Sequence, residues 1–315
     1  MAWRIGIDEA GLGPNLGPFV VSAVVWEIPD DAGDDAHLWG VFPDHLTEDP
    51  RDPLQRLAVA DSKTLFQPHQ GLNGLERSVL ALLGHLGPLP QRLAELHDCL
   101  KAGSVSDCLE RWIAQEHHDL PCDGDHADIT TRATQWRTES QRVGWRFHAA
   151  VSTVVAPREF NRRLDKTGNK ATVTSDVHAE VLSRAWQQTD GGQVTVYSDK
   201  HGGRNYYAGV LGNVFPGEWV HILEESAESS RYRVGTTRVY FEPRAERYAE
   251  VALASMISKY VRELHMHAFN AYWRREQPDL RPTQGYPGDA GRFFDAIKRR
   301  LKAHGLTKAD VWRNR

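Results

Sequence analysis

Apolar residues fall into short blocks along the chain, separated by glycine, proline and acidic clusters. Residues 3–8 (WRIGID) read as a short buried strand and residues 17–27 (GPFVVSAVVWE) as a second, longer one. The stretch Gly11-Leu12-Gly13-Pro14-Asn15-Leu16-Gly17 joins them, with the glycines and proline of a tight connection. The spacing of Leu72, Leu75, Val79, Leu82 and Leu83 predicts a helix over 70–84, and that of Leu89, Leu93 and Leu96 another over 89–101. Further strands are expected over 144–155, 193–199, 219–224 and 231–241, and helices over 173–188, 244–268 and 289–304. Pro243 suits the first turn of the helix at 244–268. Two stretches break the pattern. Residues 28–57 are acidic and proline-bearing and read as an irregular excursion. Residues 102–143 are polar, rich in His, Asp and Thr, partly helical around 106–117, and read as an insertion. The order of elements implies an α/β fold whose sheet mixes a hairpin with crossover connections.

The 315 residues allow a sizeable core, and 40% hydrophobic with 25% charged residues is ordinary for a globular protein. No apolar run approaches the roughly 20 residues of a membrane helix, and MAWRIGIDEAG lacks the apolar centre of a secretory signal. A net charge of −4 gives no whole-chain basic footprint, although local charge decides binding. Cys99, Cys108 and Cys122 are odd in number and widely spaced, which points to a reducing compartment and a cytoplasmic protein.

Four acidic residues, in three places along the chain, carry candidate chemistry. Asp8 and Glu9 follow a buried strand and precede a glycine turn, either as a solvated turn or as a site at the sheet edge. Asp199 ends the strand VTVYS before Lys200-His201-Gly202-Gly203-Arg204; a turn Asp before two glycines is the plain alternative. Carboxylates converging from neighbouring strands repel unless a hard cation neutralises them, and oxygen-only ligation suits Mg²⁺ or Mn²⁺. Glu246 is expected in the first turn of the helix at 244–268, where the helix dipole also favours an acid.

Taken together, Gly6-Ile7-Asp8-Glu9-Ala10-Gly11-Leu12-Gly13-Pro14, then Gly17-Pro18 and VVSAVV, resemble the opening of ribonucleases HII and HIII. Asp61-Ser62-Lys63-Thr64-Leu65 resembles the family's D-S-K-x-L. The segment from Phe241 to Lys259 resembles the last acidic motif of ribonuclease HIII, and Pro157-Arg158-Glu159-Phe160-Asn161 with Gly168-Asn169-Lys170 resembles its middle. Gly285-Tyr286-Pro287 resembles a late G-Y motif. The resemblance runs in order through most of the chain but omits 28–57 and 102–143.

The resemblance implies a ribonuclease H-like mixed sheet flanked by helices. It implies a catalytic domain over 1–268 and a helical C-terminal extension over 269–315 packed on it. It further implies a monomeric, two-metal endonuclease, with Asp8, Glu9, Asp199 and Glu246 holding two Mg²⁺ or Mn²⁺ ions. Glu250, one helical turn on, is the fallback for the fourth acid. The implied substrate is the RNA strand of an RNA–DNA hybrid, cut to 5′-phosphate and 3′-hydroxyl ends. Gly11, Leu12, Gly13, Lys63, Lys200 and Arg204 would contact it. One departure falls where specificity is expected: Leu12 stands where the family carries arginine or lysine, which removes a cationic donor to phosphate. A DNA or structured substrate, or a catalytically silent nucleic-acid-binding relative, therefore stays open.

Basic surface for such a partner is expected from Arg158, Arg162, Arg163, Lys166 and Lys170, and from the tail Lys298, Arg299, Arg300, Lys302, Lys308, Arg313 and Arg315. His117, His118, Cys122 and His126 fit no standard zinc spacing. The run Gly11-x-Gly13-x-x-x-Gly17 lacks the dinucleotide-binding spacing and leads into a strand.

Overall fold

A computed structural model describes residues 1–33, 36–66, 71–102, 111–112 and 119–314. Strands β1 (Ala2–Ala10) and β2 (Phe19–Ile28) form the opening hairpin. The excursion after them holds α1 (Leu38–Val41), β3 (Leu46–Thr47), β4 (Leu57–Ala58) and α2 (Ser62–Leu65). Helices α3 (Asn73–Leu83), α4 (Leu93–Cys99) and α5 (His126–Val143) lead to β5 (Arg146–Val155). Then come α6 (Pro157–Thr167), α7 (Lys170–Trp186), β6 (Val194–Asp199) and α8 (Ala208–Val214). The chain continues through β7 (Val220–Glu225), β8 (Ser230–Val234) and β9 (Thr237–Glu242) to the long helix α9 (Ala249–Glu276). It closes with α10 (Pro287–Ile297) and α11 (Lys308–Val311).

Seven strands make one mixed sheet in the order β5-β2-β1-β6-β9-β8-β7. Strands β1, β6 and β9 run parallel, while both flanks are antiparallel. The expected α/β class and helix-flanked mixed sheet are thus both present. Helices cover both faces at the centre, so β1 and β2 are buried almost throughout. Alternation sorts their side chains. Trp3, Ile5, Ile7, Phe19, Val21, Ala23 and Val25 join a core with Phe160, Val173, Val177 and Val181 of α6 and α7. Val20, Val24 and Trp26 face the other way, into a core with α3 and α9. Each large aliphatic side chain buried there contributes about 1.5–3 kcal/mol.

Several boundaries differ from the sequence reading, for identifiable reasons. Residues 126–143 form a helix, capped by Asp125, whose carboxylate accepts the Ala127 N–H at 2.8 Å. Its buried stripe is only Ile129, Ala133, Trp136 and Ser140, too thin to stand out in a polar stretch. The part expected to be helical, 106–117, falls mostly outside the described residues. The strand expected over 231–241 is a hairpin, β8 and β9, turning at Gly235. The helix expected from 244 begins at Ala249, because Tyr248 is extended; Glu246 lies in a separate 3-10 turn over Ala245–Arg247. Pro243 is therefore outside the helix. Helix α9 runs on to Glu276, since Phe269, Tyr272 and Trp273 prolong its buried face, and the expected division at 268/269 falls within it. The helix expected over 289–304 ends at Ile297, and a 3-10 turn follows over Leu301–His304. Among the described residues no helix is long and apolar enough to cross a membrane.

Candidate active site

Strands β1 and β6 are parallel neighbours, with Ile7 level with Ser198. Asp8 and Asp199 therefore emerge side by side at the carboxyl edge of the sheet, where open α/β folds place their crevices. Alternation splits the acid pair. Asp8 shares a face with Arg4 and Gly6 and turns to α9, while Glu9 turns to α7. Ser258 of α9 donates to the Asp8 carbonyl at 3.0 Å, and Ser255 hydrogen-bonds the Asp8 carboxylate. Ser62 and Ser255 share a hydrogen bond of 3.1 Å, which ties α2 to the same point. On the opposite face His178 Nε2 lies 3.0 Å from Glu9 Oε2.

Glu246 reaches this edge from the 3-10 turn that follows β9. Arg244 opens that turn in a left-handed conformation (φ 57°), and Asp199 accepts the Ala245 N–H at 3.5 Å. Lys63, exposed at the start of α2, stands over the acids. Its pKa is raised first by Asp61 and then by Glu246, Asp8 and Asp199, so one ammonium feels four carboxylates at once. The acids feel one another as well. Burial, then the Glu9 and Glu246 charges, push Asp8 well above the usual carboxylate range, against the Ser255 hydrogen bond. Burial and the Glu9 charge raise Asp199; burial, with Asp199 and Asp61, raises Glu246. Burial also pushes Glu9 upward, but the His178 hydrogen bond and the charges of His178 and Lys63 leave it below its ordinary value. The four acids expected from the sequence thus share one electrostatic site. Among the described residues, no three acidic, His or Cys side chains are gathered into a ready-made cage for an ion.

The fallback acid lies elsewhere. Glu250 is buried in the first turn of α9, with its carboxylate 3.6 Å from Arg4 and turned away from the edge. Burial raises its pKa and the Arg4 charge opposes that shift. Three further residues that the sequence reading did not assign to the site border these acids: Asp61, His178 and Ser255. Asp61 stands inside the D-S-K motif, while no local signal marked His178.

The glycine connection borders this edge. Leu12 packs against the α6–α7 core, and Lys170 donates to its carbonyl at 2.8 Å. A Cβ on Gly11 would meet the Pro18 carbonyl oxygen at 2.6 Å, and φ is +88° there, so this position requires glycine. Gly13 faces the Tyr286 ring. Lys200 donates to Asn205 at 2.9 Å and to the Ser226 carbonyl, which holds its own loop together, and Arg204 lies over the Tyr207 ring. Asp199, Lys200, Gly202, Gly203 and Arg244 border a hollow of about 350 Å³ beside the acids.

Other candidate cations are committed within the fold. Arg162 and Arg163 pair with Glu159, Arg158 with Asp310, and Lys298 with Asp295. Arg313, expected on a basic surface, is instead 2% exposed. Arg315, Cys108, His117 and His118 lie outside the described residues.

No family model matches the sequence, and no curated protein matches it significantly. Solved structures do match. Ribonuclease HII in a structure titled as the PCNA:RNase HII complex from Archaeoglobus fulgidus is 16% identical with a TM-score of 0.42, over 99% of this chain and 94% of that one. A variant of Bst-RNase HIII is 15% identical with a TM-score of 0.48, over 99% of this chain and 66% of that one, just under two thirds of its length. Ribonuclease H2 from Pyrococcus horikoshii OT3 is 15% identical with a TM-score of 0.41, over 98% and 92%. In fold, the chain is similar to ribonucleases of types HII and HIII.

Proposed function

We propose that the protein is a divalent-metal-dependent endonuclease that hydrolyses the RNA strand of RNA–DNA hybrids, leaving 5′-phosphate and 3′-hydroxyl ends. The observation that carries this reading is the electrostatic coupling of Asp8, Glu9, Asp199 and Glu246, from two strands and a 3-10 turn, to one another and to the Lys63 ammonium. The motif order read from the sequence supports the same assignment.

The donor set fits a hard cation. It is all oxygen, and burial, together with the charges of neighbouring acids, raises the pKa of Asp8, Asp199 and Glu246, so positive charge between them relieves a cost already present. Asp8, Glu9, Asp199 and Glu246 would hold Mg²⁺ or Mn²⁺. Two such ions supply, when bound, a nucleophilic water at neutral pH and charge neutralisation at the scissile phosphate. The chain's own groups orient and neutralise. His178 hydrogen-bonds the Glu9 carboxylate and Ser255 that of Asp8, which helps to orient both. Lys63 lies at the mouth of the site, free to meet a phosphate oxygen. The Gly11–Gly13 turn lets backbone approach the strand closely, as reading a 2′-hydroxyl demands. A groove of about 1350 Å³ runs on from Lys63 past Arg51, Arg56 and Arg77, although Asp52, Asp123, Asp125 and Asp128 share its walls.

Leu12 favours a second reading, the same metal site with a DNA or structured substrate, because its side chain packs into the core and offers the substrate no charge. Cleavage of a labelled panel with Mg²⁺ or Mn²⁺ tests both. The panel holds a long hybrid, a duplex with one ribonucleotide, plain duplex DNA and single-stranded RNA. The proposal expects scission of a ribonucleotide-bearing strand. Scission of DNA alone would select the second reading, and binding without scission would point to a silent relative.

A further inference from the structure

The C-terminal segment reaches back to the glycine connection. Trp312 pairs with Leu16 in an isolated antiparallel bridge, Arg313 N donates to the Asn15 carbonyl at 2.7 Å, and Asn15 Nδ2 donates to the Arg313 carbonyl at 3.3 Å. The Arg313 side chain then passes beneath the loop, where Nη2 donates to the carbonyls of both Gly11 and Pro14. Lys170 holds the carbonyl of Leu12 between them. Three of the four carbonyls from Gly11 to Pro14 are therefore held by cations.

That arrangement is electrostatically expensive. Arg313 makes no ion pair among the described residues, and its Nε and Nη1 are buried without acceptors there. A second buried guanidinium, Arg262, lies so near that a Cβ on Gly11 would meet it at 2.7 Å; it is paired with Glu263 at 2.7 Å. Burial and the Arg262 charge pull Arg313 down to about 9. An apolar side chain would fill the same space at lower cost. Yet α6 is given over to holding this segment. Asn161 donates to the Trp312 carbonyl at 2.8 Å and accepts the Asn314 N–H at 2.8 Å, and Phe160 lies under the Arg313 guanidinium at 5.1 Å.

We propose that Arg313 is a positioning residue for the substrate loop Gly11–Pro14. It turns the loop carbonyls inward and sets a positive charge behind the loop, so that the outward face takes a substrate phosphate although position 12 is leucine. The inward carbonyls of Gly11 and Leu12 direct the N–H groups of Leu12 and Gly13 outward, while the Asn15 N–H is held by the Gly285 carbonyl at 2.7 Å, and a charge in a poorly screened interior acts across a few ångströms of backbone. The inference rests on the nuclease reading above.

The test uses the full chain, Arg313→Met and Arg313→Lys, with Mg²⁺ and whichever panel strand the wild type cuts best. Arg313→Met is expected to melt within a few degrees of the wild type or above it. Its KM should rise about tenfold with kcat held within about threefold, and lysine should restore KM to within about threefold. Should methionine prevent folding, Arg313→Gln, which is also uncharged, decides by the same split. A KM within twofold of wild type in the uncharged variant would overturn the proposal, as would a fall in kcat at constant KM. A lysine variant as weak as methionine would overturn the role of the charge. A wild type that cuts nothing overturns the nuclease reading and this inference together. An active wild type with an insensitive KM overturns this inference alone.

Discussion

Gly6 of β1 lies flat against the backbone of Glu250 in α9: a Cβ there would overlap the Glu250 carbonyl and meet the Val251 nitrogen at 2.5 Å. This contact sets the distance between the strand that carries Asp8 and the helix whose Ser255 and Ser258 hold it. The obstacle is backbone, which cannot rotate aside. Gly6→Ala should therefore cost about 3 kcal/mol or more in chemical denaturation, with loss of cleavage even at temperatures where the variant stays folded. Unchanged stability would show that α9 shifts freely on β1.

Asp8→Asn and Asp199→Asn should each abolish cleavage, by on the order of 10³-fold or more, while the fold persists. Burial already disfavours the charged form of both groups, so the melting temperature should hold or rise. Full activity in either variant would refute the assignment of the site. Chelation of divalent ions should silence the wild type in the same assay.

Glu246 and Glu250 are one helical turn apart in sequence and should separate cleanly. Glu246→Gln is expected to lose cleavage with stability within about 0.5 kcal/mol of wild type. Glu250→Gln removes the carboxylate charge beside buried Arg4, whose guanidinium also donates to the Gly33 and Ala36 carbonyls, and should cost about 1–3 kcal/mol while the surviving folded fraction cuts at near wild-type rate. The reverse pattern would make Glu250 the fourth acid.

Leu12→Arg places a guanidinium beside the loop that Arg313 supports. KM for a ribonucleotide-bearing strand should fall about fivefold, equivalent to about 1 kcal/mol from one charged hydrogen bond at a partly exposed position. Loss of the Leu12 packing should lower the melting temperature slightly. An unchanged preference across the panel would remove this loop as the determinant.

The buried histidines should contribute stability that is lost in mild acid. Burial pulls His85 down to about 3 and His97 to about 4, and holds His265 well below its usual value beside His97. These rings stay neutral when folded and take up protons when unfolded. The histidine contribution is therefore complete above pH 6.5 and declines as pH falls from there toward 4, against the opposite contribution of Asp8, Asp199, Glu246 and Glu250, whose raised pKa favours the folded state as pH falls. Each ring contributes at most about 1.4 kcal/mol per pH unit within that window. Denaturation midpoints at pH 7, 6 and 5 should fall less in His85→Leu than in the wild type. An equal pH dependence in the two would mean that His85 is not buried.

The strand blocks around Ile5–Ile7, Val20–Val25 and Val194–Tyr197 were legible because a doubly covered sheet demands continuous apolar runs. Asp8 and Asp199 stood out as candidates because acids at the ends of such runs leave a composition signal, and Glu246 because the segment around it resembles a known acidic motif. Helix α5 was not, since one buried residue per turn is invisible against a polar background. The start of α9 was misplaced because Pro243 is a good helix opener, and only packing sets Tyr248 extended and lifts Glu246 into its own turn.

By itself, then, the sequence determined the class of fold, the segments that form its central strands and the acids that end two of them, because burial periodicity and strand termini are local properties. Only the tertiary structure decided which acids share a field, that Glu250 belongs to Arg4 and that Arg313 lies under Gly11 rather than on the surface. Those outcomes depend on which face of β1 meets α9 and on where a segment three hundred residues away returns. Such contacts are fixed by packing across the whole chain and leave no trace in the residues beside them.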